Sequence, residues 1–269
     1  MDEFYIPSEF FKQLDLVINS IDKRGRNPTF VVSKRKVSFV YDDLNGTISL
    51  TSSFNFPDLK PKSEYSIDIK RLMKLSGYLE SKYVHFQSGG LGSDVKIKFG
   101  SSTLDYGRTT KPIDSGVYYS GERYSYTMSQ SKLNETLGMS LLLEGKKGRN
   151  MQAWVYDGVF HMGCKLAYDT LISKFSTPLS KSTDECLLLI NLNVYTLLKF
   201  LNPIPSHIPI TLRFLNGKFY GDFLALEALF PNFKLTLHIG SRGNPHETKW
   251  LKKDYPRLKE IKNQPLYYE

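Results

Sequence analysis

Two basic loops of almost the same spelling, Lys23-Arg24-Gly25-Arg26-Asn27 and Lys146-Lys147-Gly148-Arg149-Asn150, stand 123 positions apart (146 − 23), each between an apolar-periodic segment and a strand-like one. A chain that repeats over so long an interval has to bury the same apolar pattern twice, which restricts it to two similar units in tandem. Each loop sets three cations beside a glycine able to adopt positive φ, a compact arrangement for reaching phosphates. Either loop alone reads as a solvated turn; recurrence at one offset favours a shared role.

The repeat extends through the flanking elements. Ser8 is placed to cap a helix whose apolar residues Phe10, Leu14, Val17 and Ile21 recur at helical spacing, and at the same offset the stretch Ser129 to Leu143 carries Leu133, Leu137 and Leu141. Thr29–Ser33, Val37–Tyr41 and Thr47–Thr51 predict a three-stranded meander with Asn45-Gly46 at a turn, and Gln152–Tyr156, Phe160–Cys164 and Thr170–Phe175 repeat it. Matching Val40-Tyr41-Asp42 to Val155-Tyr156-Asp157 would need an offset of 115 and would lay the second strand of one meander on the first of the other. A strand at Tyr65–Ile67 then leads to Asp68 as N-cap of a helix Ile69–Leu79; Leu187–Ile190, Asn191 and a helix ending at Leu201 answer them. Strands at Tyr83–Gln87, Val95–Phe99 and Thr103–Tyr106 close the first copy, and Ile208–Phe214, Lys218–Phe223 and Phe233–Ile239 close the second. The fold class is therefore α+β, two tandem similar domains each with two helices packed on antiparallel sheets. Their boundaries fall at 1–110 and 123–239, with an interdomain connector at 111–122 and a basic C-terminal tail at 240–269. Pro245 and Pro256 interrupt that tail, so ending the chain after Gly240 is expected to leave both domains folded.

With 41% hydrophobic and 13% aromatic residues in 269 positions, the chain has enough apolar material for two cores. The N-terminus is acidic with no apolar stretch after it, and the purest apolar run, Cys186–Ile190, is too short to span a bilayer. No membrane association is expected, and the location is read as cytoplasmic, at a nucleoid or a viral replication site. The net charge of +9 is distributed as +4 over 1–112, +2 over 113–239 and +3 over 240–269, a spread that suits a polyanionic partner.

Reaction chemistry finds no foothold. Cys164 and Cys186 fall in no metal-ligand spacing, and His85, His161, His207, His238 and His246 belong to no HExxH or Cys/His arrangement. Ser88-Gly89-Gly90-Leu91-Gly92-Ser93 lacks the Lys-Ser/Thr of a phosphate-binding loop and reads as a flexible hairpin. The acidic pairs Asp42-Asp43 and Asp184-Glu185 sit at turns, where solvated carboxylates are common. The chain is expected not to be an enzyme, with no catalytic residue, metal or cofactor.

A helix-plus-meander unit written twice, each copy itself two similar halves, with an extended connector and basic groups on or beside the helices, resembles the DNA sliding clamps, the ring-shaped processivity factors of DNA polymerases. The resemblance covers roughly residues 1–239 and is one of pattern, since this family has no signature as strict as a catalytic motif. Two domains per chain looks like the trimeric proliferating-cell nuclear antigen and the clamps of large phages. The resemblance implies the DNA-clamp fold, helices facing a central hole, sheets on the rim, and a factor that encircles or tracks along duplex DNA. Implied partners are duplex DNA without sequence specificity, a DNA polymerase, a clamp loader and further copies of the chain, a homotrimer first, with a phage or other virus as source. The alternative is an open, monomeric or dimeric, DNA-binding processivity factor or viral transcription accessory factor of the same fold, because many clamps are acidic overall and this chain is basic.

A clamp must hold duplex without stopping on it, so its inner surface should offer Lys and Arg to phosphates and read no base edges. On this reading the DNA-binding residues are Lys12, Lys70, Arg71, Lys74, Lys132 and Lys199 on or at the start of the helices, and Lys23, Arg24, Arg26, Lys146, Lys147 and Arg149 in the loops. Ordinary solvent-facing cations are the alternative. Ile113, Val117, Tyr118 and Tyr119 on the connector, with Phe230 and Phe233, are expected to line the pocket that the family offers to partner peptides; core packing is the alternative for both phenylalanines.

Overall fold

A computed structural model describes residues 1–21, 27–42, 48–113, 119–142, 150–156, 158–165, 170–175, 187–217, 223–240, 251, 253 and 255. The first copy runs β1 (Asp2–Pro7), α1 (Ser8–Ile21), β2 (Thr29–Ser33), β3 (Lys36–Asp42), β4 (Ile48–Asn55), β5 (Tyr65–Asp68), α2 (Lys70–Lys74), β6 (Tyr83–Ser88), β7 (Asp94–Phe99) and β8 (Ser102–Arg108). The second runs β9 (Tyr119–Ser129), α3 (Gln130–Leu142), β10 (Asn150–Tyr156), β11 (Val159–Lys165), β12 (Thr170–Phe175), β13 (Leu187–Asn193), α4 (Val194–Leu201), β14 (Pro209–Gly217), β15 (Phe223–Leu229) and β16 (Lys234–Gly240). Strand neighbours repeat as well. The orders β1-β6-β7-β8 and β5-β2-β3-β4 of the first copy recur as β9-β14-β15-β16 and β13-β10-β11-β12 in the second. The fold is α+β with antiparallel sheets and few helices, and the tandem repeat is one of topology as well as of spelling.

Several elements depart from the sequence reading. Each copy opens on an extra strand, β1 or β9, that runs straight into its helix; the Ser8 N–H donates to the Lys82 carbonyl at 3.1 Å, so β1 passes into α1 without a separating loop. The helix expected over Ile69–Leu79 is a five-residue α2 followed by a 3-10 turn, Ser76–Tyr78, because Ser76 and Gly77 are poor helix formers. Asn191 is not a cap but a strand residue, since the β10–β13 ladder continues to Asn193 opposite Asn150. The strand expected over Lys218–Phe223 falls largely on 218–222, outside the described residues, and β15 begins at Phe223. The glycine-rich hairpin is tied rather than loose: the Gly90 carbonyl accepts from Ser93 Oγ at 2.6 Å and Thr109 Oγ1 at 2.7 Å, while Gly90 and Gly92 hold φ of 103° and 79°. Both values lie in the region that favours glycine.

The chain forms two compact units, Met1–Gly116 with Leu229–Leu237, and Val117–Ala228 with His238–Glu269. Unit 1 is built around α1. Its inward stripe, Phe10, Phe11, Leu14 and Val17, is fully buried. Phe10 reaches Phe39 of β3 and Phe54 of β4 at centroid distances of 5.5 and 5.1 Å, and Phe11 reaches Phe30 of β2 and Phe86 of β6 at 5.9 and 6.2 Å. The helix thereby joins the β2–β4 layer to the β6 layer. Unit 2 uses Phe160 of β11 in the same capacity, with Tyr126 of β9 at 5.6 Å, Phe175 of β12 at 5.2 Å and Phe214 of β14 at 5.5 Å, while Leu133 and Leu137 of α3 are buried.

Unit 2 also includes residues beyond Gly240. Leu251 and Tyr255 are buried against Trp154, with Tyr255 edge-on to Trp154, Tyr156 and His161 at 5.2, 5.0 and 5.4 Å. The Tyr255 N–H closes a helical turn onto the Leu251 carbonyl at 2.7 Å. Part of what reads as a tail is therefore core. Ending the chain at Gly240 is expected to destabilise unit 2 by about 2 kcal/mol, the worth of burying a large apolar side chain net of ordering it. Of the chain's 2 tryptophans the truncation leaves Trp154 alone, so a red-shifted emission together with a lower melting temperature checks the contact, and an unshifted spectrum at unchanged stability contradicts it.

Candidate nucleic-acid interface

Helix α2 is too short to stand by propensity and is held from outside. The N-cap position is held by Ile69 and not by the expected Asp68, which ends β5; Asp68 Oδ1 nonetheless accepts the Lys70 N–H at 2.8 Å and its Oδ2 accepts from Asn27 Nδ2 at 2.7 Å, so one carboxylate ties the start of the helix to the end of the first basic loop. The Leu72 N–H donates to the Tyr106 hydroxyl of β8 at 3.0 Å. Burial pushes that hydroxyl up to about 12, which keeps it neutral and able to accept. With Leu72 and Met73 turned into the core, Lys70, Arg71 and Lys74 are left exposed, and among the described residues none of them is in an ion pair. Three cations in five residues, unpaired and pinned at their base, form a concentrated source of positive potential.

Helix α1 packs on α2 and its following 3-10 turn. Its outward stripe is Glu9, Lys12, Leu16 and Asn19, so Lys12 adds one exposed cation to the helix pair of unit 1. In unit 2 the packed helices are α3 and α4. Ser129 Oγ accepts the Lys132 N–H at 3.3 Å, a capping contact at the start of α3, and Lys132 Nζ lies over the Phe175 ring at 5.5 Å. Lys199 is half-buried with its Nζ over the Tyr195 ring at 5.7 Å. These two cations lean on rings and are less available than those of α2.

The loop cations Lys23, Arg24, Arg26, Lys146, Lys147 and Arg149 lie outside the described residues, as do Val117 and Tyr118 and, among the residues weighed for chemistry, Asp43, Asp184, Glu185, Cys186 and His246. Ile113 is exposed, its N–H donating to Ser66 Oγ at 3.0 Å. Tyr119 opens β9, with its backbone opposite Gly217. Phe230 and Phe233 are buried and stacked on each other at 4.4 Å, and Phe233 meets Phe10 edge-on at 5.4 Å, so Phe233 is a core side chain of unit 1. Among the described residues no group of three or more His, Cys, Asp or Glu could hold a metal ion, and no helix is long and apolar enough to cross a membrane.

Solved structures share this architecture over nearly the whole chain. Against PCNA from Thermococcus kodakaraensis the TM-score is 0.63 at 12% identity, covering 90% of this chain and 100% of that one. Against the PCNA of A. fulgidus, solved with the C-terminal region of FEN-1 bound, it is 0.63 at 14% identity, covering 91% and 99%. Against the DNA polymerase III subunit beta from Pseudomonas aeruginosa it is 0.58 at 15% identity, covering 93% of this chain and 67% of that longer one. No protein-family model matches the sequence, and no curated protein matches it. The chain has the sliding-clamp fold.

Proposed function

We propose that this chain is a DNA polymerase processivity factor, a sliding clamp that encircles or tracks along duplex DNA and tethers a replicative polymerase to it. The observation that carries the reading is the end-to-end likeness to two-domain clamps, all of the T. kodakaraensis chain being matched. The exposed Lys12, Lys70, Arg71 and Lys74, in no ion pair among the described residues, add the chemistry, because long flexible cations exchange one phosphate for the next and hold the duplex without reading its bases. The role needs no catalysis, metal or cofactor. Lys132, Lys199 and the two basic loops extend the same track. The A. fulgidus neighbour binds a FEN-1 segment, and the connector residues Ile113, Val117, Tyr118 and Tyr119 are proposed to receive peptides of the polymerase and loader here.

A homotrimeric ring is the proposed assembly, and the likeness to PCNA supports it. The net charge of +9 favours a second reading, an open monomeric or dimeric factor that clings to DNA directly. Polymerase extension on a primed circular template, run beside a solution-mass measurement, separates them. Longer products that require a clamp loader, with a trimer mass, are expected. Longer products without a loader, from a monomer or dimer, select the open factor, and no stimulation under either condition removes both.

A further inference from the structure

The solvent face of the β1-β6-β7-β8 sheet carries a feature that duplex tracking by the helices does not use. Along β1, β6 and β7 Phe4, Ile6, Val84, Phe86, Val95 and Ile97 are buried, and the residues between them, Tyr5, His85 and Lys96, lie on the opposite face. Cross-strand register sets Tyr5 beside His85 and His85 beside Lys98, with Glu3, Gln87 and Lys96 forming the next row. The Tyr5 and His85 rings stack in parallel, centroids 4.3 Å apart and planes 11° from coplanar. Tyr83 stands one pleat further along β6, and Lys82 Nζ lies over its ring at 5.5 Å. Tyr5 is 50% and Tyr83 41% exposed, so the two tyrosines are held in water with the imidazole between them.

We propose that this face is a binding platform for single-stranded nucleic acid. Unpaired bases present π-faces that stack on exposed rings whatever their identity, whereas a duplex keeps those faces inside its own stack. Tyr5, His85 and Tyr83 supply three adjoining rings, and Lys82, Lys96 and Lys98 stand at two sides of them to meet phosphates. Two acids of the face, Glu3 and Asp94, are engaged by side-chain partners. Glu3 accepts from Gln87 Nε2 at 2.8 Å and lies 3.5 Å from His85 Nε2, Asp94 pairs with Arg108 at 3.3 Å, and Asp105 stands opposite Lys96 in register. Lys82 and Lys98 are in no ion pair among the described residues. A processivity factor meets single strand beside duplex wherever a primer ends, and a platform on the sheet would engage the template strand separately from the helix cations.

The test is fluorescence anisotropy with a labelled oligothymidylate and, separately, a blunt duplex of the same length at low salt, using the full chain. The wild type is expected to bind both. Tyr5→Ala with Tyr83→Ala should weaken oligothymidylate binding by about 10- to 100-fold and leave duplex binding unchanged. Tyr5→Phe with Tyr83→Phe, which keeps both rings, should bind as the wild type does. The proposal is overturned if the wild type does not bind the oligothymidylate, if the alanine variant binds it unchanged, or if that variant loses single strand and duplex in parallel. None of these outcomes depends on whether the clamp stimulates a polymerase.

Discussion

Phe10→Ala is expected to destabilise unit 1 by about 3–5 kcal/mol, the range for deleting a buried aromatic ring from a packed core. Phe10 is fully buried, and five rings surround it, with centroids at 5.6 Å for Phe11, 6.0 Å for Phe30, 5.5 Å for Phe39, 5.1 Å for Phe54 and 5.4 Å for Phe233. Those neighbours come from α1, three strands and the returning segment Leu229–Leu237, so no single element can move inward to fill the void without dragging the others. Against a typical domain stability of about 5–15 kcal/mol such a loss leaves unit 1 marginal. Position 10 corresponds at the repeat offset to Leu133, also fully buried, so Phe10→Leu puts the second copy's residue into the first and should cost less than about half as much. Urea unfolding followed by far-UV circular dichroism measures both. A loss under about 1 kcal/mol for the alanine variant would mean that the ring cluster closes over the gap and that α1 is not the keystone of its unit.

The repeat was legible because it is periodic twice over, in the helical spacing of α1 and α3 and in the two-residue alternation of the meanders. Thr29–Ser33 and Thr170–Phe175 are strands at their expected residues for that reason. The leading strand β1 carries no such signal, because six residues ending in Pro7 abut Ser8 with no turn chemistry between strand and helix. Leu251, Tyr255 and Phe233 show a different limit: periodicity says that a side chain wants burial, but not which distant surface buries it. The cations on α2 could be found because unpaired Lys and Arg beside a buried Leu-Met pair have only one way to face. Local spelling did not show that Lys132 and Lys199 lean over Phe175 and Tyr195, since the Phe175 ring comes from a strand far along the chain. Nor did it show Tyr5, His85 and Tyr83 as one surface, which exists only once β1 pairs with β6 in register.

Reversing all three α2 charges, Lys70→Glu, Arg71→Glu and Lys74→Glu, is expected to weaken binding to linear duplex by at least about 100-fold at low ionic strength, since phosphate contacts supply most of the affinity of a sequence-independent binder. The same change should flatten the dependence of log K on log salt by roughly 0.9 for each phosphate that is no longer neutralised, about 2 to 3 in all. Structure should survive it. The three side chains are exposed and in no ion pair among the described residues, Leu72 and Met73 keep their burial, and the hydrogen bonds that seat the helix run from its backbone N–H groups to Asp68 and Tyr106. Lys70→Glu puts a carboxylate at the start of the helix, where it is tolerated best, whereas Arg71→Glu and Lys74→Glu put carboxylates in the last turn and oppose the dipole, so a net loss of about 0.5–1 kcal/mol is expected, well short of unfolding the unit. Lys132→Glu with Lys199→Glu is the internal comparison: both cations lie over rings, and their reversal should cost less affinity than the α2 triple variant while costing the packing of Phe175 and Tyr195 more. Anisotropy across a salt titration, with circular dichroism on each variant, reads all of these quantities together. Unchanged affinity and slope in a folded α2 variant would take the helix cations out of the DNA interface, and the clamp reading would then have to place the phosphate track elsewhere on the chain.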